Sequence, residues 1–118
     1  MDPISLFNIF FAGKYSTESA KKIFDAVQLI YHDDAKALRI LDTIGARSNP
    51  EYGHEIISAA VFYYKALASY NLGRVDDSIF YLDIVEKIPS WYVISGRSTL
   101  NDIKEESRKL KYQIQKSE

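Results

Sequence analysis

The 118 residues predict an all-α fold of about six helices in a single domain, and three observations carry that reading. Apolar residues recur at spacings of three and four along most of the chain. No sustained alternation of apolar and polar residues marks a strand. Asp-Asp, Ser-Thr, Gly and Pro signals fall between the periodic stretches, where helices start and stop. A chain of this length has room for one core. Its 47% hydrophobic and 26% charged residues are the balance of a folded globular protein, not of a disordered one.

Pro3 suits the first turn of a short helix reaching about Ala12, with Gly13 as the stop. A second helix opens at Ser16 or Thr17. Over residues 16–31, Ala20, Ile23, Phe24, Val27, Ile30 and Tyr31 form one buried stripe, with Leu29 off that face. Asp33 and Asp34 can cap a third helix, where Leu38, Leu41 and Ile44 recur every three residues before Gly45 ends it. Ala35 and Ala37 let that helix sit close to a neighbour.

Residues 45–53 form the longest break in the first half. Within it Asn49 and Pro50 read as a cap followed by a proline at the first helical position, and Gly53 shifts the regular helix a few residues on. The fourth helix reaches Leu72 and has two apolar faces: Ile56, Ala60, Tyr63, Leu67 and Tyr70 on one, Ile57, Val61, Tyr64, Ala68 and Leu72 on the other. Its polar strip is narrow, made of Glu55, Ser58, Lys65 and Ser69. A helix apolar over so wide an arc must be covered on two sides.

Gly73 can take the left-handed conformation that ends this helix. Asp76 and Asp77 are expected to cap a fifth, whose Ile79, Leu82, Val85 and Ile88 line the core until Pro89 closes it. A last helix over 98–116 sets Leu100, Ile103, Leu110 and Ile114 against a charged face of Lys104, Glu105, Glu106, Arg108, Lys109 and Lys111.

Composition narrows the function. The formal charge of -1 supplies no field to draw the chain onto nucleic acid or acidic lipid, so no nucleic-acid partner is expected. There is no cysteine, which removes disulfides, thiolate nucleophiles and Cys-ligated zinc together, and fits a reducing compartment. The opening MDPISLFNIFFAG lacks a preceding basic residue and is too short to span a bilayer, and the closing KLKYQIQKSE is polar. The chain as given reads as soluble and cytoplasmic.

No catalytic residue, cofactor or metal ligand is expected. His54 and Glu55 could pair as acid and base, and Asp33-Asp34 and Asp76-Asp77 could be paired carboxylates. Adjacent helical residues point about 100° apart, whereas both aspartate pairs stand where helix caps are needed. His32 and His54 do not have metal-ligand spacing. Ser95, Gly96, Arg97 and Ser98 lack the second glycine and the Lys-Ser/Thr of a phosphate loop. A small helical enzyme would require His54 and two carboxylates in one pocket.

Superposing Leu41-Asp42 on Leu82-Asp83 pairs Ala37 with Ser78, Leu38 with Ile79 and Ile44 with Val85, each segment following an Asp-Asp pair. The period exceeds the roughly 34 residues of a tetratricopeptide repeat by an amount the 45–53 linker can hold. The run ALASYNLGRVDDSI from Ala66 to Ile79, followed by Pro89, resembles such a repeat more sharply. Ala66 and Ser78 stand where that family places small residues to bring its two helices together. Lys65 and Ser69 depart from the Leu and Tyr the family prefers there.

End to end, the order of features resembles the cytosolic domain of the mitochondrial fission protein family, tail-anchored adaptors built from two such repeats flanked by helices. The matching features are Ser16-Thr17 opening a helix that ends in Tyr31-His32-Asp33-Asp34, the Val61-Phe62-Tyr63-Tyr64 run, Tyr70 to Gly73, and Leu100-Asn101-Asp102-Ile103-Lys104. Together they span roughly residues 16–111. The family's N-terminal arm is more acidic than MDPISLFNIFFAG, and its members continue into a C-terminal transmembrane tail not present in these 118 residues.

The resemblance implies a domain organised as an N-terminal arm over 1–13, two repeats over 16–89 and a closing helix over 98–116. It implies a concave groove that takes a partner's helix or extended segment, lined by Tyr63, Leu67, Tyr70 and Asn71 from the second repeat and by Lys22, Ala26 and Leu29 from the first. Most of the nine tyrosines are expected in the core. The Lys and Asn clamp by which some tetratricopeptide domains hold a C-terminal carboxylate is not matched, because Tyr63 and Leu67 occupy those places. The implied partners are adaptors of a dynamin-like GTPase, and the tail would place the domain on the cytosolic face of the outer mitochondrial membrane and on peroxisomes. A generic tetratricopeptide scaffold or secretion chaperone is the alternative. The apolar patch Ile4, Leu6, Phe7, Ile9, Phe10 and Phe11 has three readings: a helix packed on its own domain, a homodimer contact, or an arm lying in the groove.

Overall fold

Asp2 opens the first helix. Its carboxylate accepts the Ser5 amide at 2.9 Å and the Ser5 hydroxyl at 2.8 Å, serving an N–H that helix geometry leaves without a partner. The structure, a computed structural model, describes residues 2–11, 17–50, 54–89 and 99–117. The described residues form six helices and no strand: α1 (Pro3–Phe11), α2 (Glu18–Leu29), α3 (Asp34–Asp42), α4 (Glu55–Asn71), α5 (Val75–Lys87) and α6 (Thr99–Ser117). The all-α class expected from the periodicity is the one observed. Gly13, Ser16, Gly53 and the Ser95 to Ser98 stretch lie outside the described residues.

The caps divide into those placed as expected and those that moved. Thr17 accepts the Ala20 amide at 3.1 Å and Asp33 accepts the Lys36 amide at 3.1 Å. Asp34 does not cap; it is the first residue of α3 and turns back to accept the Tyr31 amide. Asp76 and Asp77 are not caps either, because α5 begins one residue earlier at Val75 with Arg74 at the cap position. They occupy the first turn, where the helix dipole favours negative charge. Asn49 and Pro50 do not start α4, which begins at Glu55 behind an His54 that makes no side-chain cap bond.

The central rod is α4, which packs against α2, α3, α5 and α6. It is buried almost all round: Ser58, Lys65 and Ser69, expected on a solvent-facing strip, are covered too, Ser58 and Ser69 fully and Lys65 in part. Two hairpins, α2–α3 and α4–α5, meet along it. At the second crossing Ala66 and Ser78 are both fully buried, and the Ser78 hydroxyl donates to the Ala66 carbonyl at 2.8 Å. Small side chains let the two backbones approach, as expected at these two positions.

Lys65 is held between hairpins. Its ammonium lies 2.7 Å from the Asp42 carboxylate at the end of α3 and 5.6 and 5.5 Å from the ring centres of Phe62 and Tyr81. The polar head thereby ties α3 to α5 across α4 while its stem covers apolar surface. A second lysine departs from expectation. Lys104, assigned to the charged face of α6, is buried and donates at 2.6 Å to the Ile88 carbonyl at the end of α5. That carbonyl belongs to a helix terminus, where backbone acceptors lack intrahelical partners, and the loss of water around the ammonium lowers its pKa.

α1 is part of this core and packs against α2 and α6. Phe7 is fully buried, with its ring 4.6 Å from Phe11 and 5.2 Å from Phe24. The Tyr64 hydroxyl, itself buried, donates to the Pro3 carbonyl at 2.9 Å. The radius of gyration, 13.2 Å, matches the roughly 13.5 Å of a compact domain of this length, so the hairpins close into a globule and do not extend as an open array. None of the helices formed by the described residues is long and apolar enough to cross a membrane.

Candidate functional site

The inner face of α4 and the facing side of α2 hold the seven residues expected to line a groove, and the structure divides them. Ala26, Tyr63 and Leu67 are buried, whereas Lys22, Leu29, Tyr70 and Asn71 are half-buried. Ala26 has no accessible surface, while Tyr63 and Leu67 keep only the small edge that faces a cleft. Phe10 of α1 meets Tyr63 edge-on with ring centres 6.0 Å apart, and α6 packs on α4 beside it. Of the three readings of the N-terminal patch, the structure shows the helix packed on its own domain, and the same helix covers Tyr63. Only Ile4 and Ile9 of that patch keep large exposed surface.

The accessible remainder is a cleft of about 360 Å³. Its floor is Leu6 from α1, Tyr63 and Leu67 from α4 and Leu110 from α6. Around the rim stand Tyr31, Glu106, Lys109 and Gln113. Glu106 pairs with Lys109 at 3.2 Å, and Lys109 also lies 3.8 Å from Glu105. Burial holds the Tyr63 phenol well above the ordinary tyrosine range, reinforced by the charge of Glu106 and by Tyr31.

The turn between α2 and α3 supplies the most unusual rim residue. Tyr31, expected on the buried stripe, instead has φ 73°, the left-handed region, and is 63% exposed, because the left-handed turn carries it away from the core. A bulky residue there is uncommon and strained. The turn is fastened by Asp34, whose Oδ1 accepts the Tyr31 amide at 3.1 Å and the Asn71 side-chain amide at 3.1 Å. Asn71, expected to face a partner, therefore joins the end of α4 to the first turn. The segment Ile30-Tyr31-His32-Asp33 contains no glycine or asparagine, so no sequence signal announced a left-handed residue. Glu106 and Lys109 belong to the charged face expected on α6, and the spacing along α6 does not show which flank borders α4.

The other candidates for chemistry stay apart. His54 borders a pocket of about 240 Å³ together with Gly45, Arg47, Pro50 and Ser58, and none of these lining residues is a carboxylate. The Ser58 hydroxyl in it accepts the Arg47 amide at 3.4 Å. No group of three or more His, Cys, Asp or Glu among the described residues is placed to hold a metal ion. A third cavity, about 250 Å³, lies between α5 and α6 beneath the Glu86–Arg108 pair at 2.8 Å and the Asp83–Lys111 pair at 2.7 Å. The buried Ser107 hydroxyl beside it has no hydrogen-bond partner among the described residues, a place where one ordered water fits.

The chain matches no protein-family model, no curated protein and no solved structure.

Proposed function

We propose that the protein is a non-catalytic docking domain, a tetratricopeptide-like scaffold that binds a protein segment at the face formed by α2, α4 and the α2–α3 turn. The observation that carries this reading is the strained, exposed Tyr31 at the mouth of a cleft floored by Tyr63 and Leu67. Backbone strain of this kind concentrates at binding and switching sites. The small-residue crossing of Ala66 and Ser78 supports the repeat-like architecture. The partner engages the open part, Leu29, Tyr31, Tyr70 and the cleft, not the whole length of α4.

The resemblance adds the biological setting: an adaptor of organelle division that recruits a dynamin-like GTPase through its adaptors, held on the outer mitochondrial membrane by a C-terminal anchor. The docking reading is tested by placing a photo-crosslinking residue at Tyr70 or, as a control, at Arg39 of α3, in cells of the source organism. Adducts from Tyr70 with none from Arg39 support it; adducts from Arg39 alone, or from neither, remove it. Depletion is expected to lengthen mitochondria. Unchanged morphology removes organelle division and leaves a generic docking scaffold.

A further inference from the structure

The cleft between α1, α4 and α6 has features that specify what enters it. At about 360 Å³ it is near the lower end of the roughly 300–1,000 Å³ of ligand sites. A helix of about 10 Å diameter does not fit; one long side chain does. Leu6, Leu67 and Leu110 offer an apolar wall for a methylene stem. Beyond them the rim carries one carboxylate, Glu106, and one ammonium, Lys109, and Lys109 has a second carboxylate, Glu105, close by outside the cleft.

We propose that this cleft receives an arginine side chain carried by an extended segment of a protein partner, its guanidinium paired with Glu106 and stacked on Tyr31. The proposal rests on the docking reading and specifies its chemistry. Lys109 occupies Glu106 in the free protein, but its side chain is 61% exposed and already has Glu105 at 3.8 Å. It can yield Glu106 without losing an anionic neighbour. Tyr31 is an exposed aromatic residue, and an accessible aromatic ring attracts a cation. Tyr63, only 5% exposed, lines the cleft and its hydroxyl makes no hydrogen bond among the described residues. It is available to accept a guanidinium N–H. Arginine fits better than lysine because its planar fork reaches a carboxylate and a phenol together, stacks on aromatic faces and is less strongly hydrated.

The test is an amide-resolved NMR titration of the 118-residue chain with three probes: acetyl-arginine methylamide, acetyl-lysine methylamide and acetyl-norleucine methylamide. Saturable shifts confined to Leu6, Tyr31, Leu67 and Leu110 are expected with the arginine probe, weaker ones with lysine and none with norleucine. Glu106→Gln, an isosteric change at the rim, is expected to weaken arginine binding about tenfold. Tyr31→Gly is expected to weaken it several-fold. Equal shifts with norleucine overturn the arginine assignment and leave an apolar docking cleft. Undiminished binding in Glu106→Gln overturns it as well. No shifts with any probe at millimolar concentration also overturn it, while Tyr70 adducts in cells would then show docking by another anchor.

Discussion

The two helix hairpins meet one backbone demand with different residues. Between α4 and α5 the left-handed position is Gly73, at φ 78°, and between α2 and α3 it is Tyr31, at φ 73°. Glycine takes this conformation at no steric cost, whereas a residue with a Cβ does so at about 1–2 kcal/mol. The first turn offsets the strain through Asp34, which accepts both the Tyr31 amide and the Asn71 side chain. The second has no side-chain cap at Arg74. A strained aromatic ring at the cleft and a relaxed glycine away from it teach that the first turn is shaped by more than chain reversal.

The hairpins also differ in what they bury, and the largest expected effect follows from that. Tyr63 and Tyr64 of α4 are buried, and burial, with neighbouring groups second, holds both phenols well above the ordinary value of 10.0. Below pH 10 both are neutral whether the chain is folded or not, so their contribution is intact. Above it the unfolded chain releases protons that the folded chain keeps, and stability falls as pH rises. Circular dichroism against pH is expected to show cooperative alkaline unfolding, and Tyr63→Phe is expected to shift that transition upward. An unchanged midpoint would mean that α4 does not govern it.

Next in size is Ser78→Leu. It forces a larger side chain between α4 and α5 and removes the Ser78 to Ala66 bond, for a loss of about 1–3 kcal/mol or more. Ser78→Ala removes the bond alone, at about 1 kcal/mol. The counterpart in the other hairpin is Ala37→Leu, also at a fully buried site, and urea denaturation of the pair shows whether both crossings are equally tight.

The smallest effects compare the turns directly. Gly73→Ala meets open space around its new Cβ, so backbone strain alone sets its loss of about 1–2 kcal/mol. Tyr31→Gly has the opposite sign. It relieves strain, gives back part through chain entropy, and raises stability by about 0.5 kcal/mol. A fall of more than about 1 kcal/mol in thermal unfolding would show that the Tyr31 ring, not its backbone, holds the turn.

Local features of the fold were legible in the sequence and distant ones were not. Thr17, Asp33 and Gly73 act over three or four residues, so their roles could be read from neighbours, as could the core stripe Leu100, Ile103, Leu110 and Ile114. The two apolar faces of α4 required cover on two sides, and it has it. Periodicity did not tell which helix covers which face. The roof over Tyr63, the reach of Lys104 to Ile88 and the link from Lys65 to Asp42 join residues far apart in the chain. The first cleft tyrosine, Tyr31, was hidden for a different reason: its conformation is one its residue type disfavours.

One contact has a consequence for biosynthesis. The Tyr64 hydroxyl that secures the Pro3 carbonyl lies 61 residues downstream. At the roughly 5–20 residues per second of translation, α1 waits about 3–12 s after leaving the ribosome before that anchor is even made. During this interval Phe7, Phe10 and Phe11 lack their final shelter, so the first helix to be made is among the last to be locked in place.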